Sequence, residues 1–397
     1  MTAAITVGLD AVNFRANPLY ELVLFDRLPS ESKAHLAGLE KDPDLYGVLR
    51  PREGAGLAVK SVCRETALLY LTLQQPGPLP AYVKANTADG WRQAVAALVL
   101  DGLLEVEMES GFRSGADAYD FLCGEVPTST ASGRLARLSV DAMKYAQALP
   151  LQDPARLSAR LYFYHRLPAS PVWRRKLPDT EAVRRHLGLG DGSLRRMLEA
   201  RWAPVEAPAS LDGWMIWRPR EAPATAPGRS RHKLYLSPDT RCVAEAFRAA
   251  ARVLSELPVL HLKVGRDVYG LLRPDKIVIY FGSRADLQRA ADQLHPALDG
   301  LPAHGVPFTA EISGNGLLSW GIDPPAAQHL LAWQERESWR LWLTNRLATA
   351  LLSGKAARSA ELEPWQFALQ RLRIQGIDVA TWMPVRPLWP EAVKPGA

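Results

Sequence analysis

The stretch Lys233-Leu234-Tyr235-Leu236-Ser237 alternates polar and apolar positions, and His261-Leu262-Lys263-Val264 repeats the pattern downstream. Side chains on a strand point alternately to its two faces, so each stretch presents one apolar and one polar face. Between them, Thr240–Glu256 places Val243, Phe247, Ala250 and Leu254 at helical spacing and is stopped by Pro258. Lys276-Ile277-Val278-Ile279-Tyr280-Phe281 reads as a further strand. Ser283 then caps a helix whose apolar face is Leu287, Ala290, Ala291 and Leu294. Val306–Ile312 supplies a fourth strand. The order β-α-β-β-α-β predicts an α+β sandwich, with helices packed on one face of a mixed or antiparallel sheet.

Two helices are expected downstream, at 334–353 and 363–375, with Trp339, Trp342, Leu343, Leu347 and Trp365 turned inward. Upstream, Leu161–Arg166 interleaves aromatics with cations and is expected as an edge strand. Asp179 reads as the N-cap of a short helix carrying Ala182, Val183 and Leu187. Residues 204–231 hold two Pro/Ala-rich runs and are expected to be a linker, because proline cannot join a helix interior or a central strand. A softer boundary near 149–154 divides the chain into 1–150 and 151–397. Within the first part, Leu57–Val62 reads as a strand and Glu65–Leu73 and Trp91–Asp101 as helices. Leu103–Glu107 and Ser110–Arg113 read as a hairpin. Helix, helix and a two-stranded wing is a winged-helix-like layout, shared by DNA-binding regulators and by domains that bind leader peptides.

The whole chain has 397 residues, which suggests two or three domains. Its three cysteines, Cys63, Cys123 and Cys242, are too far apart for a disulfide framework or a local zinc motif, consistent with a cytoplasmic location. No apolar run is long enough for a membrane span, and the first residues carry no secretory pattern. The net charge of +6 is concentrated in residues 151–240, where 16 Lys and Arg face 9 Asp and Glu. Such an excess suggests an anionic partner. Nucleic acid is disfavoured, because Trp91–Asp101 offers Arg92 as its single cation.

No phosphate-binding loop, nucleophile elbow or His-Glu-x-x-His motif occurs. The titratable residues of the strands remain. Lys233 and Tyr235 share one strand face, His261 and Lys263 share another, and Arg266 and Arg273 follow. Two such strands side by side would surround one anion with several donors. Crowded cations also favour loss of a lysine's proton, which a lysine base requires.

These segments, together with Leu272–Tyr280, Val306–Thr309, Leu347–Leu352, Gly376-Ile377-Asp378 and, upstream, Leu161–Tyr164 and Leu177-Pro178-Asp179, resemble the HopA-type effector family over roughly residues 151–385. Members occur in peptide-modifying gene clusters, including those of class V lanthipeptides and thioamitides. The resemblance implies a phosphoserine/phosphothreonine lyase of ribosomal-peptide modification. Its partners would be a phosphorylated precursor peptide and a kinase-like protein, and it would need no metal or organic cofactor. More distantly, the Lys-x-aromatic strand, helix and Lys-Val strand are similar to the phosphothreonine lyases of enteric pathogens. Carried over, Lys263 would be the base, and Lys233 and Arg273 would bind phosphate with Arg266. Tyr235 stands where that family's histidine acid would be, and His261 is the other candidate for this role. Arg340 or Arg346 would supply the family's C-terminal arginines, with Arg346 assigned to the phosphate. A non-catalytic adaptor for a precursor peptide or partner enzyme, and a winged-helix nucleic-acid-binding regulator, are the alternatives.

Overall fold

The computed structural model describes residues 8–385 apart from 53–56, 87–89, 125–130, 191, 207–212, 222–231, 326–330, 332–333, 335–336 and 359–360. Seven strands form its central sheet: β1 (Trp202–Val205), β2 (Trp214–Pro219), β3 (His232–Leu236), β4 (His261–Gly265), β5 (Ile277–Phe281), β6 (Ala310–Glu311) and β7 (Leu318–Ile322). They lie in the order β6-β7-β3-β5-β4-β2-β1, and every neighbouring pair is antiparallel. One face carries Leu234, Leu236, Leu262, Val264, Ile277, Ile279 and Phe281, all buried against helices Val243–Leu254 and Arg284–Ala297. The helices answer with the residues their periodicity requires: Val243, Phe247, Ala250 and Leu254, then Leu287, Ala290, Ala291 and Leu294. Burying a side chain of the Leu or Phe class contributes about 1.5–3 kcal/mol, so this interface dominates the stability of the sheet. Ser283 caps the second helix as its position suggested, its Oγ accepting from the Asp286 amide at 3.1 Å.

The second layer lies across part of the opposite face. Helices Trp339–Lys355 and Pro364–Ile374 share one core with helices Arg134–Ala148 and Pro154–Tyr162, in which Trp339, Leu343 and Leu347 meet Met143, Leu157 and Leu161. Helix Arg134–Ala148 thus packs with the C-terminal helices, and a division at residue 150 cuts through a continuous core. The N-terminal part has two small antiparallel sheets, Phe14–Ala16 with Leu104–Met108 and Gly111–Arg113, and Tyr20–Leu24 with Leu45–Pro51 and Lys60–Cys63. Helices Arg64–Thr72, Ala81–Asn86 and Trp91–Leu100 accompany them.

Three sequence expectations are corrected. Residues 204–231 are not simply a linker, because Trp202–Val205 and Trp214–Pro219 are strands of the central sheet; the two Pro/Ala-rich runs lie outside the described residues. The expected edge strand at 161–166 is instead the end of helix Pro154–Tyr162 and the turns that follow. Asp153 caps this helix, accepting from the Arg156 amide at 2.6 Å, and Pro154 suits its first turn. The Leu157 and Leu161 spacing is then read as i, i+4 on a buried face. Finally, within Val306–Ile312 the strand is confined to Ala310–Glu311, with the Ile312 amide adding a bond to the Leu318 carbonyl at 3.0 Å. Pro307 lacks an amide donor and Phe308 takes a φ of 62°, so neither extends the ladder. The tail after residue 385 is outside the described residues.

Candidate active site

On the sheet face away from the two packing helices, strand register sets the neighbours. Tyr280 of β5 pairs with Lys233 of β3 on one side and His261 of β4 on the other. Val278 likewise lies between Tyr235 and Lys263, and Lys263 pairs across to Ile216 of β2. Lys233, Tyr235, His261 and Lys263 therefore share one face, as alternation required. The second layer covers this face at β7 and β3, leaving Lys263, His261 and Tyr280 half-buried.

Lys263 is held between aromatic rings. Its Nζ lies 4.3 Å from the ring centroid of Trp214 and 5.3 Å from that of Tyr280. The Arg273 guanidinium lies 4.9 Å from the same Trp214 ring, so two cations from different segments meet on one indole. Arg273 is oriented from behind by Asp275, whose two oxygens accept from Nε at 2.7 Å and Nη2 at 2.8 Å. Arg340, wholly buried, adds an ion pair to Asp275 at 3.0 Å and donates to the Tyr162 carbonyl at 2.6 Å. Burial alone would raise the Asp275 carboxyl, but Arg273 foremost and then Arg340 hold it far below its ordinary value. Arg273 Nη1 forms no hydrogen bond among the described residues.

The other assigned groups are less open. Lys233 is buried, with Nζ 2.6 Å from Asp323 Oδ2 and 5.0 Å from the Tyr280 ring. Burial works to lower its pKa, yet Asp323 outweighs that and keeps the ammonium charged. Burial pushes the Tyr235 hydroxyl strongly upward, making it a poor proton donor. His261 stacks edge-on against Tyr280 at 5.7 Å; burial, then the charges of Arg218 and Lys263, lower its pKa and leave it neutral near pH 7. Arg266 has the parity of Leu262 and Val264, and its Nε donates to Thr180 Oγ1 at 3.3 Å, away from Lys263. Arg346 is also elsewhere, on the C-terminal helix pair against the Trp342 ring. The structure thus gathers Lys233, Tyr235, His261, Lys263 and Arg273, and leaves Arg266 and Arg346 apart.

Trp214, Tyr280, Tyr162, Asp275 and Asp323 complete the site and were not singled out from sequence. Tyr280 had a signal, since it shares its strand parity with Val278. Trp214 was hidden by reading its segment as a linker. Among the described residues, no group of three or more His, Cys, Asp or Glu side chains is placed to hold a metal ion, and no helix is long and apolar enough to cross a membrane.

No protein-family model and no curated protein sequence matches the chain. Among solved structures, the chain is similar to an effector protein from Pseudomonas syringae pv. syringae strain 61, at 14% identity and a TM-score of 0.37, covering 63% of this chain and 98% of that one. It is also similar to the Chromobacterium violaceum VirA (SpvC) phosphothreonine lyase effector, at 15% identity and a TM-score of 0.26, covering 35% and 76%. OspF from Shigella flexneri, a type III effector and phosphothreonine lyase, matches at 12% identity and a TM-score of 0.27, covering 38% and 83%.

Proposed function

We propose that this chain is a lyase that removes phosphate from phosphorylated serine or threonine in a peptide, leaving a dehydroamino acid. The peptide would be a ribosomally made precursor, phosphorylated first by a separate kinase-like protein in the cytoplasm. A winged-helix-like N-terminal part, built on the three helices and the 104–113 hairpin, would hold the precursor's leader. The meeting of Lys263 and Arg273 on the Trp214 ring carries this reading, because elimination needs a base and an oxyanion ligand within one residue's span. Lys263 Nζ takes the α-proton. The C–H electron pair becomes the Cα=Cβ bond, and the Cβ–O bond breaks to release phosphate. Arg273, fixed by Asp275 through Nε and Nη2, keeps Nη1 for the departing phosphate. His261 presents a neutral imidazole beside that face, and water completes the protonation of the leaving group.

A second reading, a non-catalytic adaptor that binds a precursor peptide, is favoured by one observation. Asp323 and Asp275 already neutralise Lys233 and Arg273, so two of the expected phosphate ligands have internal carboxylate partners. The regulator reading is weaker, because Arg92 is itself paired with Asp10 at 3.2 Å and lies over the Trp91 ring. Incubating a phosphoserine peptide with the protein and weighing the product separates lyase from adaptor. Loss of phosphoric acid establishes the lyase; an unchanged mass with measurable binding establishes the adaptor.

A further inference from the structure

A cavity of about 660 Å³ lies between the N-terminal part and the C-terminal helix pair, and none of its lining belongs to the seven-stranded sheet. Three cations from three elements line it: Lys60 at the start of strand Lys60–Cys63, Arg346 on helix Trp339–Lys355 and Arg371 on helix Pro364–Ile374. Two acids line it as well. Asp101 is bound to Arg371 Nη2, and Glu337 accepts from Asn345 Nδ2 at 2.9 Å. The two acids match the three cations only in part: Glu337 and then Asp101 favour the charged form of Arg346, and Asp101 that of Lys60. Among the described residues neither Lys60 nor Arg346 forms an ion pair, and Arg371, 5% exposed, leaves Nη1 without a hydrogen-bond partner. Arg346 is braced by the Trp342 ring at 3.7 Å and by a long contact to the Trp342 carbonyl at 3.4 Å.

Withdrawing three cations from water with only two counter-charges is costly, and a visiting anion would complete the balance. Burial lowers Lys60 and brings Arg346 down to about 10, consistent with charges held in a poorly hydrated space. The remaining walls are mixed: Leu100, Leu352, Phe367 and Leu372 are apolar, while Gln152, Gln334, Thr349, Ser353 and Gln375 are polar. A cavity of this size, with an apolar wall facing convergent polar groups, matches a site for a small molecule.

We infer that this cavity binds an amphipathic anion, a phosphate or carboxylate carried on an apolar body, with Lys60, Arg346 and Arg371 Nη1 on the oxyanion and Leu100, Phe367 and Leu372 on the body. The site is separate from the sheet face and does not depend on the lyase reading. Because its ligands come from both the N-terminal part and the C-terminal helices, occupancy would clamp the two together.

The test is calorimetric titration of the full chain with phenyl phosphate and with 3-phenylpropionate. Wild type should bind at least one of them saturably, and the tighter of the two identifies the oxyanion. Arg346→Gln and Lys60→Met should each weaken that binding about tenfold or more, the loss of one charge-assisted contact. Lys263→Ala, on the sheet face, should bind as wild type does. Neither probe binding to wild type, or equal affinity in both cavity variants, overturns the inference. So does loss of binding in Lys263→Ala, which would place the probe on the sheet. Thermal melting of each variant provides the folding control, and Arg346→Gln removes no ion pair, so its melting should be close to wild type.

Discussion

Lys233 Nζ and Asp323 Oδ2 lie 2.6 Å apart where β3 and β7 meet under the C-terminal helices, and the lysine is almost entirely removed from water. The pair is structural as well as electrostatic, since the other Asp323 oxygen accepts from the Trp339 amide at 2.8 Å. The family resemblance implies a phosphate role for Lys233; its partner, beyond the end of β7, is not visible from the strand spacing.

Asp323→Asn should therefore destabilise the protein more than Lys233→Met does. Removing the carboxylate strands a buried ammonium, a change that costs about 3–5 kcal/mol, whereas methionine fills the lysine's volume without a charge. Urea unfolding of both variants checks the order. Equal loss in the two would mean that the pair contributes through packing alone.

Lys263→Ala should abolish phosphate elimination and leave phosphopeptide affinity within a few fold of wild type, because the amine acts on the α-carbon. Arg273→Ala should weaken phosphopeptide binding, by about 1.5–3 kcal/mol for one charge-assisted contact. It should also reduce stability, since Asp275 then keeps Arg340 alone as an ion-pair partner among the described residues. Parallel binding and turnover measurements separate the two effects. Full turnover by Lys263→Ala removes the assigned base.

Much of the sheet was legible because its strands alternate cleanly and its helices keep their apolar residues in phase. Leu234, Leu262 and Ile279 on one face imply Lys233, Lys263 and Tyr280 on the other. What stayed hidden depends on contacts between distant segments. Trp214 sits in a Pro-rich stretch whose composition argues for a linker, yet tertiary pairing with β4 makes it a strand. Asp275 reads locally as a turn residue beside Pro274; its hydrogen bonds to Arg273 are local, but its ion pair to Arg340 comes from a helix far along the chain. Arg346 was misplaced for a related reason: it lies on the same helix as Arg340, but six residues on, facing the cavity rather than the sheet.

The close approach of helix Trp339–Lys355 to β7 gives a third prediction. Gly321 pairs with Lys233, and a Cβ there would overlap the Trp339 ring, approaching Cγ to 2.6 Å. The indole cannot easily retreat, being fixed by Nε1 donating to the Phe308 carbonyl at 3.1 Å and by its amide on Asp323. Gly321→Ala should cost about 1–3 kcal/mol, as overpacking of a tight core does. A melting temperature equal to wild type would mean that the ring has room to move.

Lys276 gives the last prediction. It is fully buried at the entry to β5, its Nζ donating to the Pro238 carbonyl at 2.8 Å and lying 2.7 Å from His304 Nδ1. His304 Nε2 is 2.8 Å from the His165 carbonyl, so Nε2 carries the proton and Nδ1 accepts. Burial lowers Lys276 to about 7, against smaller opposing contributions from Asp239 and Asp275. Burial, then Lys276 and His165, lower His304 to about 3. Each folded-state value lies below that of the unfolded chain, roughly 10.4 for lysine and 6.5 for histidine. Between the two values the unfolded chain binds more protons, so stability rises with pH there. The Lys276 window runs from about pH 7 to about pH 10, and the His304 window from about pH 3 to about pH 6.5. In each window the slope is at most about 1.4 kcal/mol per pH unit. Urea unfolding at pH 7.5 and 9.5 should therefore show wild type gaining stability with pH. Lys276→Met, similar in volume and unable to titrate, should lose that gain while remaining folded. Identical slopes in the two proteins would show that Lys276 stays charged in its buried place.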